Sequence, residues 1–210
     1  MTILIPDTSA LINIQDVYVM AYHITDVLDK IFDIKISSEV SREFRYLRSA
    51  GSEERRIRQF ISRNKRPFYR EKHYESTLRS HLMPGSAPSR NSGERYNCCL
   101  ALYEVRRRVT GCAILLCDDG KATRGLIRLF EEYSRAATSW TSLDLLINIY
   151  LVTYPRWSLK QARGAMRTVN ARIGGISSEA IKRLSQYNKR LEKLDMLLAD
   201  LPGVQTTNIL

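Results

Sequence analysis

The sequence predicts an α/β fold built on a parallel sheet, and three observations support this prediction. Short apolar segments alternate along the chain with segments in which apolar residues recur at helical spacing. The segment at 113–117 is apolar without alternation, as expected of a central parallel strand that is covered on both faces. Acidic residues follow directly after two of the predicted strands, at the edge where open α/β sheets bind ligands.

In the first part of the chain, the apolar run at 3–6 predicts a buried strand that ends before Asp7. The turn after it leads into a helix at 8–12, which Thr8 or Ser9 can cap. Apolar residues at roughly helical spacing predict a further helix over 18–31.

A short second strand is predicted at 34–36, and the serines at 37 and 38 then open a helix that continues to residue 47. A basic helical insertion follows over about residues 45–90. The proline, glycine and serine residues of 84–93 indicate a loop, and we expect it to form a flexible flap.

The second half of this region repeats the alternation of helix and strand. Residues 93–108 carry apolar positions at helical spacing, so we expect a helix with Glu94 in its first turn. After the strand at 113–117, a helix is predicted over 121–133 and a last short strand at 136–139.

Beyond Pro155 the sequence predicts helices only, so we expect a main domain at 1–155 and a C-terminal helical extension at 156–210. Ser158 and Gln161 have the spacing of a capping box, and the glycines at 174 and 175 end that helix. The next helix carries a one-sided apolar stripe. That stripe is suited to pack on the main domain, on a second copy or on a partner.

Composition restricts the class of protein. With 210 residues, 44% hydrophobic and 26% charged, the chain has the composition of a globular protein with one main domain. We expect no membrane span and, because the N-terminus lacks the features of a secretory signal, a cytoplasmic location. The four cysteines and three histidines show no metal-ligand spacing, and we interpret the cysteines as reduced packing residues.

The net charge of +11 makes a polyanion the expected large partner. Basic residues with interleaved aromatic rings are concentrated between residues 42 and 90, a pattern suited to single-stranded nucleic acid. A pair of ordinary helices with a solvated basic face accounts for the same pattern. The expected nucleic-acid-binding residues are Arg42, Arg45, Arg48, Arg55, Arg56, Lys65 and Arg66.

Three acidic motifs follow one another in this order of elements. Asp7 is followed by Thr-Ser-Ala-Leu after the first strand, Glu94 is preceded by Gly93 at the start of the middle helix, and Asp118-Asp119 ends the later strand. In this combination, residues 1–155 resemble the PIN domain family of metal-dependent ribonucleases. The resemblance implies a three-layer α/β/α fold, a cluster of acids that holds Mg²⁺ or Mn²⁺, and hydrolysis of single-stranded RNA.

The resemblance also implies roles for single residues. Asp7 matches the family's first-strand aspartate, and Ser9 occupies the supporting hydroxyl position. Val40-Ser41-Arg42-Glu43-Phe44 is similar to the family's Val-x-x-Glu-Leu pattern, which makes Glu43 the better candidate and Glu39 the weaker one. Glu94 matches the mid-chain acid. For the final acid, Asp119 fits the family's pattern Thr-x-Asp slightly better than Asp118, and either can be the ligand; Cys117 stands at the threonine position.

The chemistry expected of these acids follows from phosphodiester hydrolysis, which needs a nucleophilic hydroxide and neutralisation of the non-bridging oxygens. Hard divalent cations on oxygen ligands supply both. We expect Asp7, Glu94, Asp118 and Asp119 as metal ligands, and Asp7, Glu43, Glu94 and Asp119 as the catalytic set. Thr8 and Ser9 would donate hydrogen bonds to the carboxylates or to a phosphate.

Each of these acids has a purely structural interpretation as well, as a helix cap, a first-turn acid or a surface ion-pair partner. Phosphatases of the haloacid dehalogenase type need a second aspartate where this chain has Ser9, and a P-loop is absent from the sequence. The alternative from another class is a non-catalytic module that binds nucleic acid or protein. Among enzymes, the resemblance extends to VapC-type toxins, which implies an antitoxin partner and a homodimer.

Overall fold

The structure is a computed structural model, and it describes residues 1–46, 51–66, 68, 70–85, 92–108 and 111–201. The strands are β1 (Thr2–Pro6), β2 (Tyr18–Val19), β3 (Tyr22–His23), β4 (Phe32–Ile34), β5 (Ala113–Leu116) and β6 (Ala137–Trp140). The helices are α1 (Thr8–Ile14), α2 (Ile24–Ile31), α3 (Ser38–Tyr46), α4 (Ser52–Asn64), α5 (Glu71–Leu82), α6 (Ser92–Arg108), α7 (Gly120–Ala122), α8 (Arg128–Ser134), α9 (Ser142–Thr153), α10 (Leu159–Gly174) and α11 (Ser178–Asp200). Arg48 and most of the predicted loop, residues 86–91, lie outside the described residues.

A four-stranded parallel sheet flanked by helices forms the centre of the fold, in the order β4-β1-β5-β6. The predicted α/β class with a parallel sheet is therefore confirmed. Leu4 lies opposite Ile34 on one side and Ile114 on the other. Both inner strands are buried, because apolar side chains point to both faces and helix α6 packs on β1 and β5.

The strand order creates a switch point at the carboxyl edge of the sheet. From β1 the chain leads to β4 on one side, and from β4 it returns to the other side of β1 to form β5 and then β6. Such a reversal opens a crevice at the carboxyl ends of the two strands that flank it. Asp7 follows β1 and Asp118 follows β5 shortly after its end, so both acids lie at this crevice.

Three predicted elements differ in the structure. Residues 18–23 form the short hairpin of β2 and β3, with Met20 at a φ of 58°, and only 24–31 are helical. The second strand is β4, and Ile36 makes an isolated bridge to Lys65 instead. The helix predicted at 121–133 is interrupted by a π-helical segment, Thr123–Ile127, that contains the non-helical Gly125.

The chain forms two compact units, the first containing residues 1–12 and 32–141 and the second containing 13–31 and 142–210. Helix α9 belongs to the second unit. The domain boundary expected at residue 155 stays a prediction. In this unit, α9, α10 and α11 pack on one another. The capping box of Ser158 and Gln161 is confirmed.

Within the second unit, the apolar stripe of α11 is covered only in part. Leu191 is fully buried, whereas Ile181 is 64% exposed. Asp144 of α9, an acid in an apolar run, accepts hydrogen bonds from Tyr187 (2.9 Å) and Arg190 (3.1 Å). These contacts explain how α9 tolerates the carboxylate.

Cys98, Cys99 and Cys117 are buried, as predicted for packing residues, but Cys112 is exposed and lies just before β5. None of the helices that the structure describes is both long and apolar enough to span a bilayer.

Candidate active site

Asp7 is a buried acid at the carboxyl edge of the sheet, with 8% of its surface exposed. Its backbone N–H donates to Leu116 O over 2.8 Å, which fixes the residue beside the end of β5. Its Oδ1 accepts from the Thr8 N–H and its Oδ2 from the Ser9 hydroxyl, both over 2.7 Å. Burial raises the pKa of this carboxyl, although these hydrogen bonds oppose the rise.

Cys117 also contacts Asp7, since its thiol donates to Oδ2 over 3.8 Å. Burial raises the pKa of this thiol, and the charge of Asp7 raises it further. The PIN domain pattern has threonine at the position of Cys117. Here a thiol, which is a weaker hydrogen-bond donor, stands in place of that hydroxyl.

Glu43 reaches the same region from α3. The Thr8 hydroxyl donates to its Oε2 over 2.5 Å and so connects α1 to α3. Burial raises the pKa of Glu43, and the negative charges of Asp7 and Glu39 raise it further. Carboxylate oxygens of Glu43 and Asp7 both lie within 4 Å of the Cβ position of Gly93, so these two groups are neighbours.

Glu94 lies in the first turn of α6, next to a glycine with a specific packing role. A Cβ placed on Gly93 would lie 3.2 Å from Glu43 Oε1 and 3.7 Å from Asp7 Oδ1. A side chain at this position would therefore have to displace Glu43 by a few tenths of an ångström, and glycine lets α6 approach these carboxylates without that displacement. Burial raises the pKa of Glu94, and the charges of Asp7, Asp119 and Glu43 add to the rise.

Asp119 is exposed and caps α7, accepting from the N–H groups of Lys121 (2.7 Å) and Ala122 (3.4 Å). This bonding is that of an ordinary N-cap. Its negative charge nevertheless contributes to raising the pKa of Glu94. Asp118 is half-buried beside it.

The hydroxyls of Thr8 and Ser9 both donate to carboxylates, and α1 begins at Thr8 itself, so the N-cap position falls on Asp7. The prediction that Thr8 or Ser9 caps this helix is therefore wrong. The two side chains hold the acids instead.

Glu39, the weaker candidate in the sequence, is a further acid of this group. It is 6% exposed, accepts from Ser92 Oγ over 2.9 Å and forms an ion pair with Arg42. Glu39 and Glu43 are four residues apart and therefore share one face of α3. That four-residue spacing is the sequence pattern by which Glu39 could have been recognised as a stronger candidate for the site.

A buried ion pair between α5 and α6 was missed in the sequence. Arg95, only 1% exposed, donates to Glu75 Oε1 over 2.6 Å. Ser37 Oγ donates to Asn97 Oδ1 over 2.7 Å and joins the start of α3 to α6. Nothing local distinguishes Arg95 from the many exposed arginines, because its burial depends on the packing of α5 against α6.

The expected nucleic-acid-binding cations lie on α3, on α4 and after it. Arg42 is largely exposed but paired with Glu39, and Arg56 lies 3.9 Å from Glu53. Arg45, Arg55 and Arg66 are exposed, and Lys65 is half-buried. The described structure therefore has a basic surface here that ion pairs neutralise only in part.

The donor chemistry of the acids suits a hard divalent cation, since every group is a carboxylate and Gly93 leaves the space between Glu43 and Asp7 free of a side chain. The placement is less complete. In the part of the chain that the structure describes, no three histidine, cysteine, aspartate or glutamate side chains are grouped so that they could hold a metal ion. A cation would therefore require the carboxylates to come closer together.

Comparisons of the chain with protein-family models, with curated proteins and with solved structures found no significant match. The resemblance to PIN domains is thus supported by the motifs and stays a prediction.

Proposed function

We propose that this chain is a Mg²⁺- or Mn²⁺-dependent ribonuclease with a PIN-like, three-layer α/β/α fold, which hydrolyses phosphodiester bonds of single-stranded RNA. One observation supports the proposal above the others. Asp7, Glu43 and the first turn of α6, which carries Glu94, come from three separate parts of the chain and approach one another at Gly93, where a Cβ would lie 3.2 Å from Glu43 Oε1 and 3.7 Å from Asp7 Oδ1. This approach lies at the switch point of a parallel sheet.

Because these carboxylates repel one another, a bound cation would stabilise the site. Burial raises the pKa of Asp7, Glu43 and Glu94, and the neighbouring charges raise those of Glu43 and Glu94 further. Acids with raised pKa values at the crevice of a sheet are typical of functional sites.

The metal would be held by Asp7, Glu94, Asp118 and Asp119, and when bound it would supply an activated hydroxide and neutralise phosphate charge. Ser9 fixes the carboxylate of Asp7, and Thr8 fixes that of Glu43. In this arrangement Glu94 would orient the attacking water, and Glu43 would act at the edge of the site.

The substrate would be bound by the basic surface around α3 and α4. Arginine and lysine contacts to phosphate release counterions, so the affinity for RNA would fall steeply with salt. Arg42, Arg45, Arg55, Arg56, Lys65 and Arg66 belong to this surface, and Arg48 is proposed with them on sequence grounds alone.

By the same resemblance, we propose a cytoplasmic toxin of a toxin and antitoxin pair. Its antitoxin would cover the acidic crevice, and the toxin would act as a homodimer. A stand-alone nuclease would have the same crevice with no such partner.

The second candidate function is a non-catalytic module that binds nucleic acid or protein. Two observations favour it: Asp119 Oδ1 accepts both hydrogen bonds of a helix cap, and the described acids do not form a ready group of three metal ligands. On this view the acids cap helices and bind no ion.

The test is incubation of the parent chain and its Asp7→Asn variant with a mixed pool of single-stranded RNA, with and without Mn²⁺. The exposed Glu132→Gln variant serves as the matched control, because Glu132 pairs with Arg128 away from the acids. Cleavage by the parent and the control, only with Mn²⁺, and none by Asp7→Asn would support the enzyme. Absence of RNA cleavage by all three chains, both with and without Mn²⁺, would favour the binding module.

A further inference from the structure

A cavity of about 410 Å³ opens between α5, α6 and α8, in the first unit of the chain. Its volume lies within the range of pockets that hold small organic ligands. The acids described above are not among its lining residues. It therefore has no role in the proposed chemistry and needs an explanation of its own.

The floor of this cavity is apolar and well packed. Phe130 is 1% exposed and Leu78 is 7% exposed. Tyr74 forms one wall, and its ring meets the rings of Phe68 (5.4 Å) and Tyr103 (6.3 Å) edge to face. The aromatic wall is thus held in place before any ligand enters.

The rim of the cavity is cationic. Arg70 and Arg106 are exposed lining residues, and His73 and His81 lie beside them. None of the described residues that line the cavity is acidic. The rim therefore favours a ligand that carries negative charge.

Two side chains at the opening are positioned to recognise such a ligand. Arg106 donates to the hydroxyl of Tyr74 over 3.4 Å, which keeps the guanidinium next to the aromatic wall. Tyr133 lines the same cavity although 71% of its surface is exposed. An exposed ring beside arginines is the combination on which unpaired bases stack.

We propose that this cavity binds one nucleotide of single-stranded RNA, with the base among Tyr74, Phe130 and Tyr133 and a phosphate at Arg70 and Arg106. The choice of RNA over another anionic chain rests on the proposed function. The cavity would deepen that function by adding a recognition site remote from the acids.

The distance between the two sites follows from helix α6, which contributes to both. Glu94 and Arg106 are twelve residues apart on this helix, and so about 18 Å apart along its axis. A substrate that occupies both sites would have to be several nucleotides long. Longer RNA should therefore bind more tightly than a single nucleotide.

The experiment measures binding without cleavage, in the full-length Asp7→Asn chain with EDTA present. Adenosine 5′-monophosphate, adenosine and inorganic phosphate are titrated by NMR, and a fluorescent 12-nucleotide RNA is titrated by anisotropy. The variants are Arg106→Gln and Tyr133→Ala. Their matched controls are Arg128→Gln and Leu129→Ala, two exposed α8 residues that do not line the cavity.

We expect adenosine 5′-monophosphate to bind more tightly than either fragment and to compete with the RNA. Arg106→Gln and Tyr133→Ala should each weaken nucleotide binding about tenfold, and the controls should bind as the parent does. Equal nucleotide binding by variants and parent would overturn the proposal. Tighter binding of an acidic, phenylalanine-containing peptide, titrated by NMR in the same way, would also overturn it.

Failure of this proposal is distinguishable from failure of the proposed function. Nucleotide binding is read without metal and without catalysis, whereas the function is tested by Mn²⁺-dependent cleavage that requires Asp7. A chain that binds the nucleotide but never cleaves RNA would keep the cavity proposal and refute the nuclease.

Discussion

Gly93 lies directly against Glu43, so that a Cβ at position 93 would stand 3.2 Å from Glu43 Oε1. That separation is shorter than ordinary van der Waals contact. Because Gly93 has no side chain, the first turn of α6 packs directly against the Glu43 carboxylate of α3.

The first prediction concerns this contact. Gly93→Ala should displace Glu43 by a few tenths of an ångström and lower RNA cleavage about tenfold, because catalytic groups tolerate little misplacement. Stability should change little, since alanine favours a helix by up to about 1 kcal/mol over glycine and so offsets the crowding. Cleavage rates and urea unfolding measure the two effects.

Gly164→Ala is the matched control for Gly93→Ala, because Gly164 lies within α10 and nothing is within 4 Å of a Cβ built there. It should stabilise the chain and leave cleavage unchanged. Undiminished cleavage by Gly93→Ala would contradict a catalytic role for the packed carboxylates.

The second prediction separates the two possible roles of Asp119. Asparagine keeps an oxygen that can accept from Lys121 and Ala122, whereas alanine does not. Asp119→Ala should therefore be about 1 kcal/mol less stable than Asp119→Asn in urea unfolding. Both variants should lose RNA cleavage if the charge is needed. Full cleavage by Asp119→Asn would leave this residue a cap only.

The third prediction is the pH dependence of stability. The pKa of Glu94 is raised above its ordinary value of 4.5 in the folded chain, so the folded state binds this proton more tightly than the unfolded state does. The free energy of unfolding contributed by Glu94 is therefore greatest below pH 4.5 and declines as pH rises through the raised pKa.

Glu94→Gln removes this titration, and so its stability relative to the parent should increase from pH 4 to neutral pH. Urea unfolding at several pH values measures the difference. Asp7→Asn should show the same trend, because the pKa of Asp7 is also raised. A relative stability that falls with pH would show that these carboxylates are stabilised by cationic partners.

The fourth prediction concerns metal binding by the folded chain. A cation that binds only the folded state stabilises it by about 2.7 kcal/mol at a hundredfold excess over Kd. For a chain of this size, the expected rise in melting temperature is about 5 to 10 °C. Thermal denaturation with Mn²⁺ should show this shift for the parent and for Glu132→Gln.

Asp7→Asn should lose most of that shift, because it removes the carboxylate at the centre of the proposed site. The same variant should melt at a higher temperature than the parent without metal, since it no longer buries a charged group. An unchanged melting temperature of the parent in Mn²⁺ would count against metal binding.

The fifth prediction concerns the buried ion pair of Arg95 and Glu75. Glu75→Gln removes the carboxylate charge that the buried Arg95 contacts, which should lower the free energy of unfolding by on the order of 3 kcal/mol. Glu132→Gln breaks an exposed pair and should change stability far less. Similar losses in both variants would show that the Arg95 pair is effectively solvated.

Much of the fold could be predicted from local patterns. The strand at 113–117 and the capping box of Ser158 and Gln161 were predicted within a residue or two, because apolar runs and caps are properties of adjacent residues. The hairpin over 18–23 was missed, because its aromatic and apolar residues also match helical spacing and nothing in that spacing indicates the left-handed Met20.

The sequence by itself determined the alternation of strands and helices and the placement of Asp7 and Asp118 after strands, since both depend on neighbouring residues. The tertiary structure alone decided that Glu43 lies close to Asp7, that Gly93 leaves room for these two carboxylates, and that Arg95 is buried. These relationships join residues tens of positions apart, and a side chain's charge environment depends on what packs around it rather than on its neighbours in the chain.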